Sequence, residues 1–207
     1  MTNVLIIATN GFEQSELMGP KARLEDAGMK TTVASLEAGD IRGWKDGDWG
    51  ESVSVDKLVD DVAASDFDAL LLPGGQINPD VLRMNDTVIA LVKDFDKAGK
   101  PIAAICHAPW LLAEADIIRG KTVTGWPSIR TDLKNAGGNV VDSEAAVDAN
   151  LITARNPDDI PAFSDALIKA ENARSGLNSD TSLSATHGGQ PTPSHPFTVR
   201  WGFLLRL

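Results

Sequence analysis

The only cysteine of the chain, Cys106, stands in the run Ala104-Ile105-Cys106-His107-Ala108, and this is where nucleophilic chemistry would be done. Small residues two before and two after it let a strained strand-to-helix turn close without clash. That turn exposes the nucleophile of many hydrolases, here with sulfur in place of oxygen. At such a turn the thiol faces a helix N-terminus, whose unpaired N–H groups and dipole favour thiolate over thiol. Composition alone points the other way, because an unpaired cysteine is among the most buried residue types. The neighbouring residues reverse that reading, and with no second cysteine an internal disulfide is impossible.

A reactive thiol needs groups that manage its proton. Glu13 and Glu16 lie three apart in residues 10–16 (NGFEQSE) at the expected start of a helix, where both could simply complement the dipole. A carboxyl buried beside a thiolate is different: like charge and desolvation raise its pKa, so it keeps its proton and donates a hydrogen bond. Glu16 is assigned that place in preference to Glu13. Gly74 and Gly75 follow Pro73 and permit close backbone approach, and the amides of Gly75 and His107 together would form an oxyanion site. His107 adjoins the nucleophile in sequence, but helix neighbours do not face each other. From chemistry alone it is as readily a bystander as a base.

These residues must be positioned by strands. Residues 3–9 (NVLIIAT), 30–35 (KTTVAS), 68–72 (DALLL) and 101–105 (PIAAI) are short, β-rich or continuously apolar runs, as expected of parallel strands buried on both faces. Between them, residues 14–27 and 85–98 carry helical spacing and end at Gly28 and Gly99. The β-α-β opening predicts a right-handed crossover, and the whole pattern an α/β fold with a mostly parallel sheet and helices on both faces. Residues 36–50 carry four glycines and two tryptophans, which reads as a loop or hairpin. Helices are expected over 108–115 and 128–136, and strands over 121–124 and 151–154. A final helix should have Asp158 or Asp159 as its N-cap and Pro161 in its first turn. Because ligands bind beyond the carboxyl ends of parallel strands, residues 10–16, 73–80 and 106–109 should meet at one edge.

The chain has 207 residues, 43% hydrophobic and 23% charged, enough for one sizeable core. Domain boundaries are expected at 1–173 for the α/β unit and 174–207 for an appended tail, flexible or a docking arm. The tail is rich in Ser, Thr, Gly and Pro and carries two of the three histidines. A net charge of -10 disfavours nucleic acid and anionic membranes as partners. No export signal or membrane span is read, so a cytoplasmic location is expected. Three scattered histidines and one cysteine fit no metal site, and neither a dinucleotide fingerprint nor a P-loop is present. No cofactor is expected.

Five separated stretches, NGFEQSEL, FDALLLPGG, GKPIAAICHAPWLL, IRGKTVTGWPSIRTDLKNAGG and TARNPDDIPAF, agree in order and spacing with a known family. The chain resembles the PfpI-type intracellular proteases and deglycases, within the class I glutamine amidotransferase-like superfamily that includes the Parkinsonism-associated protein. The resemblance runs from residue 3 to about 172. It implies a flavodoxin-like three-layer sandwich, a nucleophile at Cys106, a protonated carboxyl at Glu16 and a base at His107. It also implies a homodimer or larger assembly in which an acidic residue, matched here by Asp80, orients the histidine of a neighbouring subunit. Departures from the family pattern include Ala108, where glycine is frequent, Trp110, where many relatives carry Gln, and Trp126; two indoles would narrow the pocket.

The implied activities are peptide hydrolysis, removal of dicarbonyl adducts from proteins, and glyoxalase-type conversion of methylglyoxal without glutathione. All of them begin with thiol addition to a carbonyl carbon. A narrow pocket favours small dicarbonyl or glycated peptide substrates over folded chains. The alternative is a non-catalytic stress protein, redox-sensing or chaperone-like, that uses oxidation of Cys106. Such a sensor has no need of a base at His107. Glutamine amidotransfer needs a later His-x-Glu pair, which the sequence lacks.

Overall fold

The computed structural model describes residues 2–184, with side chains through residue 176. The chain opens with strand β1 (Asn3–Ile7), a two-residue strand β2 (Phe12–Glu13) and helix α1 (Gln14–Asp26), then returns as β3 (Lys30–Ser35). A hairpin of β4 (Asp40–Lys45) and β5 (Asp48–Ser54) follows, then β6 (Lys57–Leu58) and β7 (Ala69–Leu72). Helices α2 (Ile77–Leu82) and α3 (Asp86–Lys97) lead to β8 (Ile102–Ile105) and α4 (Pro109–Glu114). Beyond them lie β9 (Thr122–Val123), α5 (Arg130–Asn135), β10 (Asn139–Val140), β11 (Ala146–Asp148), β12 (Leu151–Ala154) and α6 (Ile160–Ser184).

The main sheet runs β11-β12-β8-β7-β1-β3-β6, and every pairing in it is parallel except β11 with β12. Its central strands are apolar without interruption because alternate residues serve opposite faces. Leu5, Ile7, Leu70, Leu72, Ile102 and Ala104 pack with Val88, Val92 and Phe95 of α3 and Leu111 and Leu112 of α4. Val4, Ile6, Leu71, Ala103, Ile105 and Ile152 pack on the other side with Leu17 and Leu24 of α1 and Phe163 and Leu167 of α6. These are three layers, helices on sheet on helices. Since β8, β7 and β1 are neighbours, the loops after them share one edge, as their order in the sequence predicts.

The structure adds to the sequence reading in three places. Residues 77–82, for which the sequence suggests no element, form α2: Pro79 sits in the first turn, where a missing N–H costs nothing. Asn156 caps the single 3₁₀ turn Pro157–Asp159 that leads into α6, its side chain accepting from the Asp158 N–H at 2.9 Å. Asp159, immediately before Ile160, is bound twice by the Arg155 guanidinium at 2.8 and 2.9 Å. α6 itself continues past the expected boundary at residue 173 to Ser184, and the rest of the expected tail lies outside the described residues.

Candidate functional site

Cys106 ends β8 with φ of 64°, one of four described non-glycine residues at clearly positive φ. Its backbone is over-determined: its N–H donates to Ala154 O at 3.0 Å, and its carbonyl accepts from Trp126 N–H at 2.8 Å. Left-handed backbone in a residue with a Cβ persists only when the surroundings hold it, and such positions cluster at functional sites. Gly74 explains how the turn closes. A Cβ there would stand 2.7 Å from both Cys106 Cβ and Ile105 O, and it would also strike Glu16 Oε2. Asn78 fixes this glycine turn: its amide donates to Pro73 O at 2.8 Å and Gly74 O at 3.2 Å, while its Oδ1 accepts from Thr9 N–H at 2.7 Å.

Glu16, fully buried on the first turn of α1, meets the Cys106 thiol. Its Oε2 accepts from Gly74 N–H at 3.0 Å, and its Oε1 is buried without a hydrogen-bond partner of normal geometry. Burial above all pushes this carboxyl up to about 8; contact with Cys106 opposes the rise and the nearby Glu13 adds to it. The thiol is also raised, first by burial and then by Glu16, while the N–H groups of Gly75 and His107 pull it back. Desolvation raises both groups, and the Glu16 carboxylate raises the thiol further, so their titration belongs to the pair. The dipole of a six-residue α4 does not overcome burial, and the expected lowering of the thiol's pKa is not found.

His107 is buried, and its two ring nitrogens are both engaged. Nδ1 lies 3.3 Å from Cys106 Sγ and Nε2 lies 3.4 Å from Ser128 Oγ. The sharp turn, which is not a regular helix, lets sequence neighbours face each other. Trp126 stacks on the ring at 5.8 Å between centroids and 26° between planes, and Trp110 leans on it at 5.4 Å. Burial lowers the imidazole's pKa and so favours its neutral form.

A cavity of about 200 Å³ opens over the sulfur, lined by Glu13, Glu16, Trp44, Gly75, Gln76, Cys106, His107, Trp126 and Pro157. Cys106 itself is only 5% exposed. A second cavity of about 320 Å³ shares Glu13 and Pro157 with the first and extends past Ser15, Met18, Lys45 and Asp46. The hairpin that forms its wall is fastened to α1 by Gln14, which donates to Glu51 Oε1 at 2.8 Å and accepts from Glu51 N–H at 2.7 Å.

Of the residues singled out by sequence, Cys106, His107, Glu16, Glu13, Gly75 and Trp126 meet at this cavity. Gly74 backs the site without lining the cavity. Trp110, expected in the pocket, is carried behind His107 by α4, where its indole N–H donates to Asp132 Oδ2 at 2.8 Å. Asp80 is exposed on α2, and among the described residues it neither lines the cavity nor hydrogen-bonds His107. Trp44, Gln76, Pro157, Asn78 and Ser128 escaped the sequence reading. The signal for Trp44 was an aromatic in a glycine-rich excursion of a parallel-sheet protein, and the signal for Ser128 was its position two residues after Trp126. Among the described residues no cluster of His, Cys, Asp or Glu could hold a metal, and no helix is long and apolar enough to cross a membrane.

A thiol at a strained strand-to-helix turn, with a buried carboxyl against it and a histidine beside it, places the molecule among open-sheet α/β proteins built around one cysteine. Within that class the chain belongs to the DJ-1/PfpI family, whose sequence model matches residues 2–170. It is 45% identical over 161 residues to General stress protein 18 of Bacillus subtilis, covering 77% of this chain and 92% of that one. It is 42% identical over 161 residues to Protein/nucleic acid deglycase 2 of Escherichia coli, with the same coverage of 77% and 92%. The crystal structure of Drosophila melanogaster DJ-1beta superposes with a TM-score of 0.75 at 30% identity, covering 88% of this chain and 97% of that one. The fold is thus the flavodoxin-like sandwich that the resemblance implies.

Proposed function

We propose that the protein is a cofactor-independent enzyme that adds the Cys106 thiol to the carbonyl carbon of a dicarbonyl, free or borne as an adduct on a peptide or protein. The contact of Cys106 Sγ with His107 Nδ1 at 3.3 Å carries this reading. With the thiol raised and the imidazole held neutral, the natural route is general-base attack. As the S–C bond forms, the thiol proton passes to Nδ1 and the carbonyl π pair moves to oxygen. The N–H groups of Gly75 and His107, both directed at the sulfur, are placed to receive that oxyanion.

Glu16 in its protonated form donates to the site, and as carboxylate it accepts a proton. With a free α-ketoaldehyde, transfer of the C–H proton to the neighbouring carbon converts the hemithioacetal to a thioester. Water then cleaves the thioester to a hydroxy acid and restores the thiol, so no external oxidant or reductant is consumed. With a hemiaminal adduct, the S–C bond replaces the C–N bond and the amine leaves with the proton that His107 took from the thiol; the resulting hemithioacetal then passes to the thioester, and water restores the thiol. The deglycase name of the E. coli relative supports the adduct reading, and the adjoining cavity offers room for the chain that bears the carbonyl.

The enclosure of the sulfur at 5% exposure argues against folded proteins as peptidase substrates. A redox sensor would have no use for a base in contact with the sulfur. Turnover of methylglyoxal and of a methylglyoxal-modified peptide by the wild type and by Cys106→Ser tests the proposal. The serine variant should lose at least roughly a hundredfold in kcat/KM, and equal rates would remove the enzyme reading.

A further inference from the structure

We infer that Ser128 is the positioning residue of the histidine: by accepting from the far ring nitrogen it leaves the near nitrogen's lone pair facing the thiol. The inference rests on the reading of Cys106 and His107 just given. Which nitrogen of a neutral imidazole carries the proton is set by the hydrogen bond that the other nitrogen makes. Here both partners are in place, Cys106 Sγ at 3.3 Å from Nδ1 and Ser128 Oγ at 3.4 Å from Nε2.

The sulfur's surroundings decide the direction. Gly75 and His107 already direct their backbone N–H groups at it. A third N–H from the imidazole would add a donor to a sulfur that is a weak acceptor, whereas the thiol's own hydrogen requires an acceptor. A lone pair on Nδ1 meets that need, which places the ring hydrogen on Nε2 and makes the Ser128 hydroxyl its acceptor.

The segment carrying Ser128 is built to hold it there. Trp126 N–H donates to the carbonyl of Cys106 itself at 2.8 Å, so the arm is tied to the nucleophile's backbone. Residues Pro127–Ile129 form a single 3₁₀ turn, and Ile129 N–H closes it on Trp126 O at 3.1 Å. Ile129 is fully buried beneath it. One arm therefore lays an indole on the imidazole face and a hydroxyl at its far nitrogen.

The test uses the full chain labelled with ¹⁵N at histidine, with two-bond ¹H–¹⁵N spectra to read the tautomer; the His107 signals are those lost in His107→Gln. The wild type should show Nε2–H. Ser128→Ala should shift the ring toward a mixture of tautomers and lower kcat for methylglyoxal roughly five- to tenfold, the worth of one lost hydrogen bond. KM should stay unchanged, and Ser128→Thr should restore both readouts. An unaltered tautomer in Ser128→Ala would overturn the inference. Wild-type turnover by Cys106→Ser would instead overturn the thiol reading, while the tautomer result would stand or fall on its own.

Discussion

At the scale of single residues, the site is, under the proposed function, an arrangement for moving one proton among sulfur, imidazole and carboxyl. Glu16 carries the largest burden, because a carboxyl with no exposure is retained where a hydrophobic residue would pack more cheaply. Glu16→Gln keeps the shape and the acceptor for Gly74 N–H but cannot exchange a proton. We expect it to lower kcat for methylglyoxal by roughly 10²–10⁴, the usual worth of general acid–base catalysis, with KM little changed; steady-state kinetics check this. The meeting of Cys106, Glu16 and Gly75 at one cavity was legible in the sequence because small residues flanked the cysteine and the glycine pair followed an apolar strand. Asp159 shows the limit: it stands just before a helix, as read, but only the fold brings the Arg155 guanidinium onto its carboxylate.

At the scale of elements, the site depends on how closely backbone segments approach. Gly74→Ala would force a methyl against Cys106 Cβ and Ile105 O at 2.7 Å, backbone and rigid atoms that cannot swing aside. The cost should be about 1–3 kcal/mol of stability, read in urea unfolding, together with loss of most turnover because the nucleophile's turn must open. The β4–β5 hairpin is a separate lever. Gln14→Ala removes both bonds to Glu51, should cost on the order of 1 kcal/mol, and should raise KM for a modified peptide more than for methylglyoxal. Strands were legible as apolar runs because burial on both faces leaves no alternation to misread. The hairpin's part in the cavity was not, since nothing local in residues 36–50 reports that Trp44 lies over a cysteine sixty positions away. Nor was α2, because Pro79 and Asn78 read as turn residues and only their tertiary partners make them helical.

For the molecule as a whole, two buried carboxyls set the pH dependence of stability. Glu16 is raised to about 8 and Glu171 to about 7, the latter by burial, opposed by Arg174 and Lys100 and assisted by Asp68. Both folded-state values lie above the 4.5 of an exposed carboxyl, so the folded state binds more protons than the unfolded one between them. Their contribution is complete below about pH 4.5 and is lost as pH rises through about 7 and then 8. Urea midpoints at pH 5, 7 and 9 should fall across this window; Glu171→Gln should flatten the fall up to about pH 7, and Glu16→Gln should flatten it over the whole range up to about pH 8. Among the described residues, those lining the cavity run from Glu13 to Pro157, and a chain ended at Ser184 should turn over substrate at the wild-type rate. The bond from Cys106 N–H to Ala154 O has a consequence for biosynthesis. A chain emerging N-terminus first presents its cysteine well before β12 is made. Until that last parallel strand docks, the bend around the sulfur lacks this brace, so the turn takes its final form only after residues through Ala154 have been synthesised.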